Sequence, residues 1–334
     1  MTRPLLITQG DPTGVGPEII LKALLDGAFA DLERPPVVAG DLGVLQRAAA
    51  LFGQSCTIAA GDGLATHRLR VGGRELGVAA LSTLDAARLR YGAPDAACGR
   101  AMLAYIEWAC ARCLAGEAAG MVTAPINKAA IHAAGCDFPG HTELLAARCG
   151  VDQVVMMLAG ARLRVALVTT HLALREVPRV LTSEAILRTL RITHGDLQRF
   201  FGLPRPRLAV LALNPHAGEQ GLFGDEEQRL IAPAIAAAQA EGIAADGPHS
   251  ADTLFHFAVQ GSHDAVICMY HDQGLIPLKL LHFEDAVNLT LGLPIVRTSV
   301  DHGTAYDLAG SGRASYASLA AAVRLAARMA ECRT

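Results

Sequence analysis

The stretch DAVICMYHDQGLIPLKLLHFEDAVNLTLGLPIVRTSVDHGTAYDLAGSG, Asp264 to Gly312, decides what kind of fold to expect. It opens with Ala265–Tyr270, an apolar run of the length and composition of a buried strand. His271-Asp272-Gln273-Gly274 follows at once. In open α/β sheets, chemistry sits just beyond the carboxyl ends of strands. Lys279, Asn288 and Arg297 come next, and Asp301-His302-Gly303-Thr304 ends the polar series. A packed core has no use for so many polar groups in so little chain, so the stretch is expected to wall a site. The apolar flanks Pro277-Leu278 and Ile295-Val296 favour a lined cleft over open surface for Lys279 and Arg297.

Size and composition bound the rest. At 334 residues the chain exceeds what one core usually serves, so two lobes are expected. With 51% hydrophobic and 18% charged residues it reads as compact α/β rather than disordered. A net charge of −3 without a basic block gives nucleic acid nothing to hold. No apolar run is long enough to span a membrane, and Met1–Gly10 lacks the order of a signal peptide, so a cytoplasmic protein is expected. The eight cysteines then read as reduced thiols, with Cys110 and Cys113 on a helix rather than in a zinc or redox motif.

Working outward, Leu5–Thr8 reads as a first strand. The loop Gln9–Glu18 leads into a helix from about Ile19 to Leu25, with Pro17 suited to its first turn. This loop is neither GxGxxG nor a Walker sequence, so a tight strand-to-helix turn is favoured over direct phosphate binding. Val37–Asp41 is a second strand, Leu42–Phe52 a helix, and residues 56–95 read only as short strands and loops. A long helix spans about Ala96–Ala115. Gly120–Lys128 is a strand running into a polar loop. In Phe138–Glu143, Thr142 is a candidate N-cap, and His141 beside the helix start could touch an anion. Val154–Leu158 and Leu163–Thr170 form a hairpin around Gly160, and Leu208–Leu213 is a further strand. The C-terminal helix runs from about Tyr316 to Ala330.

Three apolar runs end at, or just before, a histidine: His171, His216 and His271. One such histidine is ordinarily structural or surface. Three, on elements that can converge at one rim, fit a divalent-metal site with open positions. Imidazole suits several metals, and Asp252 and Asp272 are candidates to orient the ligands.

On these segments the chain resembles the 4-hydroxythreonine-4-phosphate dehydrogenase family of the bacterial vitamin B6 route. The matching pieces are Gly10–Glu18, Val122–Lys128, Pro139–Glu143, Thr169–Leu172, Leu213–Glu219, Ala251–Phe255 and Tyr270–Gly310, in order along nearly the whole chain. His302-Gly303-Thr304-Ala305 is also similar to the dinucleotide loop of isocitrate and isopropylmalate dehydrogenases. The resemblance implies a two-lobed α/β/α architecture of that type, with an active-site cleft between lobes. Residues 1–128 plus 300–334 would form the nucleotide lobe, and 129–299 the metal and dimer lobe.

By the same resemblance His171, His216 and His271 bind a divalent metal, zinc, magnesium or cobalt. His141, Thr142, Lys279, Asn288 and Arg297 hold a small phosphorylated substrate, and Gly303, Thr304, Ala305 and Asp307 hold the dinucleotide. The family is homodimeric, with the site shared between subunits. The reaction implied is oxidation of 4-phosphooxy-L-threonine to a 3-oxo acid that decarboxylates to 3-amino-2-oxopropyl phosphate. A 4-phosphorylated threonate or erythronate is the alternative substrate, and a non-catalytic ligand-binding relative a further one. His141 and Asp272 are the candidates for the general base. No basic residue lies in 303–310 to meet a 2′-phosphate and Asp307 could face a ribose hydroxyl, which favours NAD, with NADP possible.

Overall fold

The computed structural model describes residues 2–332. In its first part the chain runs β1 (Leu5–Thr8), α1 (Gly16–Leu25), β2 (Pro36–Gly40), α2 (Leu42–Ala50), β3 (Cys56–Ala60), β4 (His67–Val71) and β5 (Arg74–Ala80). Then come α3 (Ala96–Leu114), β6 (Gly120–Thr123), α4 (Lys128–Ala133) and α5 (His141–Cys149). The middle holds β7 (Val155–Ala159), β8 (Arg164–Leu167), α6 (Val177–Val180), α7 (Ser183–Phe201), β9 (Arg207–Leu211), α8 (Ala232–Ala240), β10 (Ala244–His249) and α9 (Ala251–Ala258). Last are β11 (Ala265–Cys268), α10 (His271–Leu281), β12 (Val287–Leu291), β13 (Arg297–Val300) and α11 (Ala317–Cys332).

The chain divides into two compact units, residues 2–152 with Leu293–Glu331, and Gln153–Gly292 with Cys332. In the first unit the strand order is β13-β6-β1-β2-β5-β4-β3. From β13 to β5 all neighbours are parallel, and β4 and β3 add an antiparallel edge. Strands β1, β2, β6 and β13 are buried along their whole length, as expected of parallel strands covered on both faces. Asp41 caps α2 by accepting from Val44 N–H and also takes the Ser82 hydroxyl at 2.7 Å, while Ser82 meets Tyr105 of α3 at 2.6 Å. Residues 129–152 pack here, α4 and α5 lying on α3, whereas the sequence reading set them in the other lobe.

In the second unit the order is β10-β9-β11-β8-β7-β12. β10, β9, β11 and β8 are mutually parallel, and β7 pairs antiparallel with both β8 and β12. Gly160 closes the expected hairpin, its N–H donating to Leu163 C=O. The core joins Val165 and Leu167 to Ala209, Leu211, Val266 and Cys268, with Leu275 and Leu278 of α10 packed upon them.

Several elements depart from the sequence reading. β8 stops at Leu167, so His171 stands in a bend beyond the strand rather than at its last residue. α10 begins at His271 itself and carries Pro277 inside it; the run of Gly274 and Pro277 hides a helix. Residues 56–80 hold three paired strands. Cys110 and Cys113 are helix residues, and the cysteines are free thiols. No helix among the described residues is long and apolar enough to cross a membrane.

Candidate active site

In the first unit a cationic hollow forms beside the carboxyl end of β6. Arg297 is the first residue of β13 and pairs in register with Met121 of β6. It is buried, and its guanidinium donates to Thr123 Oγ1 at 2.7 Å. Burial pushes its pKa down to about 10, with Glu143 opposing the shift. His141 is the first residue of α5, whose N-cap is Gly140 rather than the expected Thr142. Thr142 lies one position inside the helix and is half-buried. Burial, then the positive charges of Arg297 and Lys128, hold His141 well below its usual pKa, so the imidazole is neutral. Its Nε2 is buried without a hydrogen-bond partner among the described residues, which costs about 1–3 kcal/mol. Lys128 starts α4, where Asn127 caps by accepting from Ala130 N–H at 2.8 Å. Two cations, a neutral imidazole and a helix N-terminus thus face one small volume, which suits an oxyanion. Sequence reading assigned no role to Lys128 or Thr123. The signal is their place on either side of the end of β6, where the apolar run gives way to a polar loop.

The loop His302–Asp307 lies in the same unit and is held from below. Ala305 adopts φ 44°, in the left-handed region. Val15 N–H donates to Thr304 C=O at 3.1 Å, and a Cβ on Gly14 would sit 3.2 Å from the Thr304 Cβ. Tyr306 donates its hydroxyl to Asp11 Oδ2 at 2.5 Å and accepts from Asn127 Nδ2 at 2.7 Å. Glu18 accepts the N–H groups of Gly310 and Gly312. Gln9–Glu18 is therefore a buried buttress, in keeping with the strand-to-helix turn expected there. Gly303 and Asp307 stay exposed, and Thr304 and Ala305 are half-buried.

In the second unit the ends of β8, β9 and β11 are laced together. Gln273 accepts from Met269 N–H at 2.7 Å and donates to Ala212 C=O at 2.7 Å. Thr169 donates its hydroxyl to Met269 C=O at 2.7 Å. This brings the rings of His171 and His271 to 5.6 Å between centroids. Asp272 Oδ1 lies 2.7 Å from His271 Nδ1, which leaves Nε2 as the nitrogen for a ligand. His216 sits in a left-handed turn, His216 to Gln220 all having positive φ, with its ring 6.3 Å from that of Phe223. Buried Glu227 holds that turn, accepting from Leu213 N–H and Asn214 N–H at 2.8 Å each. The chain thus brings two of the three histidines together, and the ligand atoms of all three do not converge within 4.8 Å. Asp252 lies near enough to His216 to feel its charge; the Ser250 and Thr253 hydroxyls, then His216, hold its carboxyl below the usual range. Lys279 of α10 and Asn288 of β12 are both half-buried. A pair of imidazoles with a carboxylate behind one of them is a donor set that fits a borderline divalent cation.

The sequence profile described as "Pyridoxal phosphate biosynthetic protein PdxA" matches residues 32–326. The chain is 58% identical over 330 residues to a 4-hydroxythreonine-4-phosphate dehydrogenase of Geobacter metallireducens, covering 98% of this chain and 96% of that protein. It is 51% identical to the protein of the same name from Trichlorobacter lovleyi, with 98% of each covered. Among solved structures, a 4-hydroxythreonine-4-phosphate dehydrogenase from Klebsiella pneumoniae superposes with a TM-score of 0.89 at 42% identity, covering 98% of this chain and 100% of that one.

Proposed function

The chain belongs to the PdxA family of pyridoxal phosphate biosynthetic proteins, and from that membership we propose that it oxidises 4-phosphooxy-L-threonine in an NAD-dependent, divalent-metal-requiring reaction. The secondary alcohol becomes a ketone, and the resulting 3-oxo acid loses CO₂ to leave 3-amino-2-oxopropyl phosphate. The observation that carries the reading is the His171–His271 pair with Asp272 behind it. A divalent cation held by His171, His216 and His271 would lower the pKa of the substrate alcohol. A nicotinamide dinucleotide held by Gly303, Thr304, Ala305 and Asp307 would take the hydride.

The remaining work falls to side chains of the chain itself. Arg297 and Lys128 neutralise the anionic end of the substrate, Arg297 with a planar fork that matches phosphate or carboxylate. Lys279, Asn288 and Thr142 complete substrate contacts. Neutral His141 offers Nε2 as a hydrogen-bonding position or proton acceptor, which a protonated imidazole could not do. Asp272 fixes the orientation of His271. The proposed assembly is a cytoplasmic homodimer with a site drawn from both subunits.

The test is NADH formation from 4-phosphooxy-L-threonine and from the 4-phosphates of threonate and erythronate, with NAD and with NADP, before and after chelation. The expected outcome is the highest kcat/KM for 4-phosphooxy-L-threonine with NAD, abolished by chelator and restored by metal. Preference for a sugar acid would replace the substrate, and turnover indifferent to chelation would remove the metal.

A further inference from the structure

A second cluster of metal-ligating side chains lies in the Gln153–Gly292 unit, formed by the edge strand β10 and the α9–β11 connection. Asp246 and His249 stand three residues apart on β10, which pairs only with β9 and so forms the edge of its sheet. His263 comes from the connection between α9 and β11. His249 Nε2 contacts Asp246 Oδ1, and His263 Nε2 lies 3.1 Å from each carboxylate oxygen. The two rings are 5.8 Å apart, edge to face. Asp246, His249 and His263 each offer one ligand atom within 4.8 Å of the others, and no other such group of three occurs among the described residues.

We propose that Asp246, His249 and His263 bind a borderline divalent cation, Zn²⁺ being the type, through two imidazole nitrogens and one carboxylate oxygen. Two ligands on a tetrahedral zinc at about 2.0–2.1 Å stand roughly 3.3 Å apart, close to the separation of His263 Nε2 from Asp246. The His249–Asp246 contact has to open to admit the ion. The nitrogen of His263 away from the cluster is already engaged, Ser262 Oγ lying 2.8 Å from Nδ1. That contact fixes the ring and leaves Nε2 for the cation, the arrangement usual behind a ligating histidine. The backbone is fixed as well, His249 C=O accepting from Ala212 N–H at 2.8 Å. Although burial opposes ionisation of Asp246, the contacts with His249 and His263 outweigh it and keep the carboxyl below its usual range. The anionic ligand is therefore present at neutral pH. Two histidines and a carboxylate leave a fourth position open to water. The bound ion would tie the edge strand to the α9–β11 connection. Binding of the cation is in competition with protons on its ligands, so affinity falls on acidification.

The test is equilibrium dialysis of chelator-stripped protein against Zn²⁺ at pH 7.5 and pH 5.5, on the wild type, on His249→Gln/His263→Gln and on Asp246→Asn. Melting in the absence of metal establishes that each variant is folded. Asp246→Asn, which keeps a hydrogen-bond acceptor for both imidazoles, serves if the double variant is not. The expected result is one Zn²⁺ fewer per chain in either variant at pH 7.5, with NADH formation unchanged. Equal stoichiometry in variants and wild type would overturn the site and leave a proton-bridged His–Asp–His cluster. Because the strand-end histidines are intact in every protein compared, failure here leaves the proposed oxidation untouched. Loss of turnover in a His216→Ala chain would likewise leave this site standing.

Discussion

Arg297 and His141 show how burial turns ordinary side chains into recognition chemistry. A guanidinium taken out of water and tied to Thr123 is fixed in aim, so its exchange for a point charge loses the fork. Arg297→Lys should raise KM for the phosphorylated substrate roughly 10- to 100-fold with a smaller change in kcat, read from steady-state NADH formation. For His141 the sign follows from its depressed pKa. The folded protein disfavours the imidazolium, so native stability is full above the unfolded value of about 6.5 and is lost as pH falls below it toward the folded pKa. The same depression keeps Nε2 free of a proton at pH values where an ordinary histidine already carries one. His141→Gln should lower kcat/KM by about 10²-fold or more at every pH where the imidazole acts, measured as a pH profile.

At the scale of elements, two buried carboxylates set the geometry of turns. Glu227 satisfies the N–H groups of Leu213 and Asn214 and so maintains the left-handed turn that carries His216. Glu227→Ala would leave two backbone donors unpaired beside a cavity and should cost about 3 kcal/mol in chemical denaturation. It should also lower metal content, because His216 depends on that turn. Asp196 of α7 accepts from Gly292 N–H at 2.7 Å, yet burial pushes its pKa up to about 6. Its folded pKa is raised, so stability is full below the unfolded value near 4 and declines as pH rises through about 6. Asp196→Asn keeps the acceptor and removes the buried charge. It should be roughly 1–3 kcal/mol more stable than the wild type at pH 8, with the difference vanishing near pH 4, in paired urea melts.

At the scale of the molecule, the cationic hollow belongs to one compact unit and the histidines to the other. If one site draws its hollow from one subunit and its histidines from the partner, chains broken in different units should complement. Co-expression of a His216→Ala chain with an Arg297→Ala chain should then recover about a quarter of wild-type activity, since half the dimers are mixed and each holds one intact site. A site built within one chain gives no recovery. Purified mixed dimers and NADH formation separate the two outcomes.

By itself the sequence determined the fold class, the place of most strands and the family. Apolar runs that stay buried along their length, such as Leu5–Thr8 and Ala265–Cys268, leave a continuous apolar stretch that local reading detects. Chemistry-bearing residues just past those runs were legible for the same reason, since strand ends are marked by the change from apolar to polar. Only the tertiary structure decided what those residues meet. Neither Lys128 beside His141 nor Glu227 beneath Asn214 is a contact between sequence neighbours, and Asp246 finds His263 only because β10 and the α9–β11 connection fold onto one edge. Helix α10 was hidden because Gly274 and Pro277 argue locally against a helix that packing of Leu275 and Leu278 on β8 and β11 sustains. Local pattern records which face a residue shows to the core; partners distant in the chain are chosen by packing, which no single stretch contains.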